Sequence, residues 1–174
     1  NWEDGLTKRV ELLKGIDFET CKQVADSLPI MTGAREACKT LKDAGWKIMA
    51  VSGGFTIMTD RLKDELNLDH VYTNELIFKD GKLDSVTINV DSDKAKSARV
   101  KIEEWNIPKD EIVVIVDGAN DIKLFDICNL GIAYRAQDIV KDLATTTLEE
   151  KDLTKIIPII NQHYSMDLPI PVSS

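Results

Sequence analysis

The 174 residues are 43% hydrophobic and 30% charged, and their 22 Lys and Arg against 30 Asp and Glu leave a net charge of −8. Such a chain suits one soluble domain with a real core, and its acidic balance argues against a dedicated nucleic-acid binder, which presents a basic face. No apolar run approaches the roughly 20 residues of a membrane span, and the opening Asn1-Trp2-Glu3-Asp4 is unlike a signal peptide.

In chain order, Leu6 to Lys14 reads as a short amphipathic helix with Leu6, Val10 and Leu13 inward, stopped by Gly15. Asp17 caps a second helix through Ser27, with Phe18, Cys21 and Val24 as its stripe, and Pro29 breaks the run. Gly33-Ala34 opens a third helix that packs Ala34, Ala37, Cys38 and Leu41 inward and stops at Gly45. A strand from Trp46 to Val51 ends at Ser52-Gly53-Gly54, and a helix from about Thr56 to Leu66 completes a βα unit. Val71 to Phe78 and Leu83 to Val90 flank Asp80-Gly81, a strong hairpin signal. A helix from Lys94 to about Trp105 leads to the strand Ile112–Val116. Then follow a helical spacing over Ile122–Cys128, a strand at Leu130–Tyr134, helices at Asp138–Leu143 and Asp152–Ile160, and an irregular tail. Strands alternating with helices indicate an α/β fold, a parallel sheet wrapped by helices.

Chemistry concentrates where strands end. Five β-branched residues, Ile112 to Val116, suit a strand buried on both faces, and they stop at Asp117-Gly118-Ala119-Asn120-Asp121. Carboxylates at the carboxyl end of a parallel strand are where open α/β sheets bind ligands. Mg²⁺ is held by such hard oxygens together with substrate phosphate. Gly118 is expected to permit a turn that a Cβ would resist. Ser52-Gly53-Gly54 before a helix suits an anion, since backbone N–H groups converge there. Lys96, early in the helix between these segments, would neutralise clustered negative charge. Each feature alone has a plainer reading, as a polar turn, a helix cap or a solvated lysine. Cys21, Cys38 and Cys128 stand in no CxxC or metal spacing and read as reduced thiols of a cytoplasmic protein; two histidines, His70 and His163, supply neither a triad nor a zinc site. Trp46 and Trp105 read as packing residues.

Together, Val51-Ser52-Gly53-Gly54-Phe55, Lys96 within Asp93-Lys94-Ala95-Lys96-Ser97, and Asp117-Gly118-Ala119-Asn120-Asp121 resemble the second, third and fourth motifs of the phosphoserine phosphatase family in the haloacid dehalogenase superfamily. The Lys79–Leu83 hairpin and Lys8-Arg9-Val10 fit as well, and the resemblance runs from Trp2 to about Ile160. It implies a Rossmann-like three-layer sandwich with a mostly parallel sheet and a partial helical cap. Residues 1–30 would be the remnant of that cap, 31–164 the core and 165–174 a tail. It further implies that Ser52, Gly53 and Asn120 bind phosphate, that Lys96 is catalytic, and that Asp117 and Asp121 hold Mg²⁺. Arg9 would hold a substrate carboxylate, pointing to a small phosphomonoester such as phosphoserine.

Two departures bear on activity. The family's first motif, DxDxT, supplies the nucleophilic aspartate and the acid/base, and none of the 174 residues provides it. The one DxD, Asp91-Ser92-Asp93, lacks the threonine and reads better as a helix cap. Val116 stands where the family has glycine, and its branched side chain is expected to crowd the metal segment. The expectation is a Mg²⁺-dependent phosphomonoester hydrolase that is inactive as the chain stands. The alternative is a non-catalytic binder of phosphate or phosphoamino acids. Its expected partners are the phosphomonoester and either a companion N-terminal segment or a second copy, with neither nucleic acid nor membrane.

Overall fold

Three helices open the chain, and from there strands and helices largely alternate. The computed structural model describes residues 2–90 and 93–173, leaving out the side chain of Trp2. The elements are α1 (Trp2–Leu12), α2 (Phe18–Ser27), α3 (Ala34–Asp43), β1 (Met49–Phe55), α4 (Thr56–Leu66), β2 (His70–Lys79) and β3 (Lys82–Thr87). After them come α5 (Lys94–Glu104), β4 (Val113–Val116), β5 (Leu130–Tyr134), α6 (Asp138–Leu143), β6 (Thr146–Leu148) and α7 (Ile156–Tyr164). The chain divides into two compact units, Asn1–Ile30 with Met49–Ser92, and Met31–Ile48 with Asp93–Ser174. Each unit contains one three-stranded sheet, in the orders β1-β2-β3 and β4-β5-β6.

In the first unit β1 and β2 run parallel, and β2 turns back antiparallel into β3. Asp80 (φ 52) and Gly81 (φ 74) both take the left-handed conformation that a tight hairpin turn demands. The segment joining α1 to α2 lies along β3: Gly15 N–H donates to Leu83 O at 2.7 Å, and Leu83 N–H to Ile16 O at 2.8 Å. Leu6 and Val10 are buried as expected, whereas Leu13 lies beyond the end of α1 and is exposed. In α2 the inward residue is Ala25, and Val24 faces solvent. Six residues on from Phe18 is about 120° off its face, while seven returns to it. Phe18 itself packs edge-on against Phe78, centroids 5.1 Å apart.

Two strands, β1 and β3, depart from the sequence expectation at their ends. β1 begins at Met49, because Trp46 belongs to the exit turn of α3: its N–H donates to Leu41 O, and Gly45 there has φ +88. The strand also continues through Ser52-Gly53-Gly54 to Phe55. β3 ends at Thr87, short of Val90, since the N–H groups of Asn89 and Val90 go to the Asn74 side chain and not to a neighbouring strand.

In the second unit β4, β5 and β6 are all parallel. The strand buried on both faces is β5, every residue of it, and not β4, where Ile115 is 38% exposed. Within this sheet β4 pairs with β5 alone, so it lies at an edge. β5 packs with Ala37, Leu41, Leu148, Ile156, Ile157 and Ile160 into one apolar cluster, with Trp46 against it. Gly33, at φ +80, precedes α3, and a Cβ there would lie 2.7 Å from Thr154 N and closer still to the Asp152 carboxylate. β6 escaped the sequence reading because three residues are too few to show alternation. The helical spacing after Asn120 is realised as 3₁₀ turns over Ala119–Ile127, tighter than an α-helix. Pro158 sits in the first turn of α7, where a missing N–H is tolerated. The tail has no regular structure, yet Asn161 exchanges two hydrogen bonds with Leu168, and Ser173 Oγ–H donates to Asp152 at 3.0 Å.

Candidate active site

The residues singled out by sequence fall in both units. Ser52 and Gly53 lie in β1 at an irregularity of its pairing. Val51 pairs with Tyr72 and Phe55 with Asn74, so a step of four residues on β1 answers a step of two on β2. Such a bulge frees backbone N–H groups from the ladder. Gly54 N–H donates to Ser52 Oγ at 3.0 Å, and Asn74 Nδ2 donates to the Gly53 carbonyl at 3.1 Å. α4 starts directly afterwards with no side-chain cap and no acidic residue in its first turn. Its opening N–H groups are a favourable environment for an anion. Arg9 is exposed on α1, and its Nε donates to Gly5 O at 3.3 Å within its own helix.

In the second unit Asp117 follows β4 and is exposed, as is Asn120. Asp121 is half-buried, and its N–H donates to Gly118 O at 3.1 Å, closing the turn. Lys94 Nζ stands 2.7 Å from Asp121 Oδ1, with both side chains under 20% exposed (18% and 17%). Asp121 Oδ1 is buried and has no aligned hydrogen-bond donor, so this contact is one of charge. Lys96 is exposed, two residues further along α5 and on another face of it. Sequence reasoning missed Lys94. The available signal was Asp93, whose side chain accepts from Ala95 N–H at 3.1 Å and caps α5. That cap is the reading preferred for the Asp91-Ser92-Asp93 segment, of which Asp91 and Ser92 lie outside the described residues.

Gly118 departs from expectation. It is extended (φ −134, ψ 154), and an added Cβ would meet nothing within 4 Å, so no steric need for glycine exists there. Val116 is buried at 1% and in register with Ala133. The three thiols are free, and burial pushes that of Cys38 up to about 11, as suits an inert packing group.

For a metal, the relevant donors are two carboxylates, Asp117 and Asp121, with the Asn120 amide between them. Among the described residues no group of three or more His, Cys, Asp or Glu could hold an ion. Two hard carboxylates fit Mg²⁺, which completes its shell with water and substrate oxygens. They do not fit a structural zinc site, which calls for four Cys or His ligands.

Parallel strands joined by helices, with a polar segment following β4 and a glycine-rich bulge before α4, make this an α/β protein of haloacid dehalogenase type. Residues 6–126 match the haloacid dehalogenase-like hydrolase family, and the chain belongs to it. Its relatives include phosphoserine phosphatases. The one from Methanocaldococcus jannaschii is 38% identical over 92% of this chain and 77% of its own length. The one from Archaeoglobus fulgidus is 34% identical over 91% of this chain, which spans only 47% of that protein. A solved phosphoserine phosphatase described as a phospho-aspartyl intermediate analogue superposes with a TM-score of 0.83 at 35% identity, covering 91% of this chain and 78% of that one.

Proposed function

We propose that this chain belongs to a Mg²⁺-dependent phosphomonoester hydrolase acting on phosphoserine or a similar carboxylate-bearing ester. The observation that carries the reading is the carboxylate segment 117–121 at the end of parallel β4. In this reading the Ser52 hydroxyl and the N–H groups of the bulge hold the phosphate, assisted by Asn120. Lys96 offsets negative charge on the transferred group. Asp117 and Asp121 would hold Mg²⁺, which when bound supplies further charge neutralisation. Arg9, in the cap segment proposed for residues 1–30, reads the substrate carboxylate. Phosphoryl transfer of this kind relies on positioning and electrostatics around a carboxylate nucleophile.

That nucleophile is the missing part, since the 174 residues contain no DxDxT. The test is release of phosphate from phosphoserine with Mg²⁺. The 174-residue chain should be inactive, and joining a strand that ends in DxDxT, in cis or as a separate peptide, should restore turnover. If the completed protein stays inactive while still binding phosphate, the chain is the non-catalytic binder instead. If the short chain turns over and Asp91→Asn abolishes it, the nucleophile lies in Asp91-Ser92-Asp93.

A further inference from the structure

The Ser52–Gly54 bulge is poorly held by its own strand, because the β1–β2 register slips between Val51 and Phe55. One side chain fixes it from below. Asn74 on β2 is fully buried, at 0% exposure. Its Nδ2 donates to the Gly53 carbonyl at 3.1 Å, and its Oδ1 accepts from Asn89 N–H at 3.0 Å and Val90 N–H at 3.1 Å. A carboxamide offers two donors and two acceptor positions, and three of the four are spent here on main-chain atoms of two segments. An apolar residue would serve packing at least as well, since a buried amide is costly unless bonded.

The consequence runs through peptide planarity. The Gly53 carbonyl and the Gly54 N–H belong to one rigid plane and point opposite ways. By holding the carbonyl, Asn74 aims the Gly54 N–H, and that N–H donates to Ser52 Oγ at 3.0 Å. With a lone pair of Oγ engaged, the Ser52 hydroxyl proton is left to donate to an anion. We propose that Asn74 is the positioning residue of the anion-binding bulge, setting the Gly53–Gly54 peptide plane and through it the Ser52 hydroxyl. This rests on the reading of Ser52–Gly54 as the phosphate site.

The experiment follows the amide signals of Gly53 and Gly54 in the isotope-labelled 174-residue chain during titration with inorganic phosphate. Asn74→Asp keeps the acceptor for Asn89 and Val90 but cannot donate to Gly53 when ionised. Asn74→Ser is the milder second variant, should the buried carboxylate prevent folding. Leu83→Ala, which opens a cavity at a buried site of the same unit, controls for lost stability. The dissociation constant should rise roughly tenfold in either Asn74 variant, the loss of one well-aligned bond's worth of binding, and stay within about twofold in Leu83→Ala. Unchanged affinity in a folded Asn74 variant, or an equal loss in Leu83→Ala, overturns the assignment. Absence of any shift at Gly53 and Gly54 in the unsubstituted chain sinks the phosphate-site reading itself.

Discussion

Lys94 shows how one side chain can govern a carboxylate segment. At 2.7 Å from Asp121, with both groups largely withdrawn from solvent, its charge is only partly screened. A cation arriving at Asp121 meets Lys94 first. Removing the lysine leaves the carboxylate uncompensated, so Lys94→Met should tighten Mn²⁺ binding to the metal-free chain by about fivefold, the effect of roughly 1 kcal/mol of repulsion. Calorimetry or paramagnetic broadening of the Asp121 amide reads this directly, and weaker binding would mean that Lys94 supports the site. Asp152 is a second such residue, with a structural task. The Thr154 hydroxyl foremost, then its N–H, the Ser173 hydroxyl and Lys155, hold the Asp152 carboxyl below the usual carboxylate range. A folded-state pKa below the unfolded value stabilises above the unfolded value and loses that contribution as pH falls through the folded one. Stability should therefore drop on acidification below about pH 4, and Asp152→Asn should flatten that drop in urea midpoints measured against pH.

Among elements, β5 and β4 carry similar sequences to different ends. β5 is paired on both sides and buried throughout, with Ile132 at 0% exposure. β4 is paired on one side in its sheet, and Ile115 is 38% exposed. Ile132→Ala should cost roughly 2–5 kcal/mol, the transfer term plus a cavity in surroundings that cannot collapse. Ile115→Ala should cost clearly less, because much of that side chain is already hydrated. Denaturant unfolding followed by the fluorescence of Trp46 and Trp105, both in this unit, distinguishes the two. Equal costs would show that β4 is covered on its other edge under the conditions of measurement.

For the whole molecule, family membership and partial coverage have to be weighed together. The chain matches relatives over nine-tenths of its own length but spans 47% of one and 77% of another. The absence of DxDxT in its 174 residues is therefore a property of this stretch, and turnover of the completed protein is the measurement that decides between hydrolase and binder. No helix among the described residues is long and apolar enough to cross a membrane.

Sequence alone determined the α/β class and the bounds of α4, β5 and α6, because strand and helix periods are local. It also singled out the polar segments 52–54 and 117–121, since residues that bind anions or hard cations are recognisable by type. It could not place side chains that depend on partners far along the chain. Asn74 reads as one polar residue in a β-rich run, and only pairing of β1 with β2 brings its amide to Gly53. Lys94 and Lys96 are indistinguishable in composition, and only the packing of α5 on the 119–127 turns puts Lys94 against Asp121. Which of two similar strands is buried was likewise a tertiary outcome: β5 has a neighbour on each side, and β4 in its sheet has one.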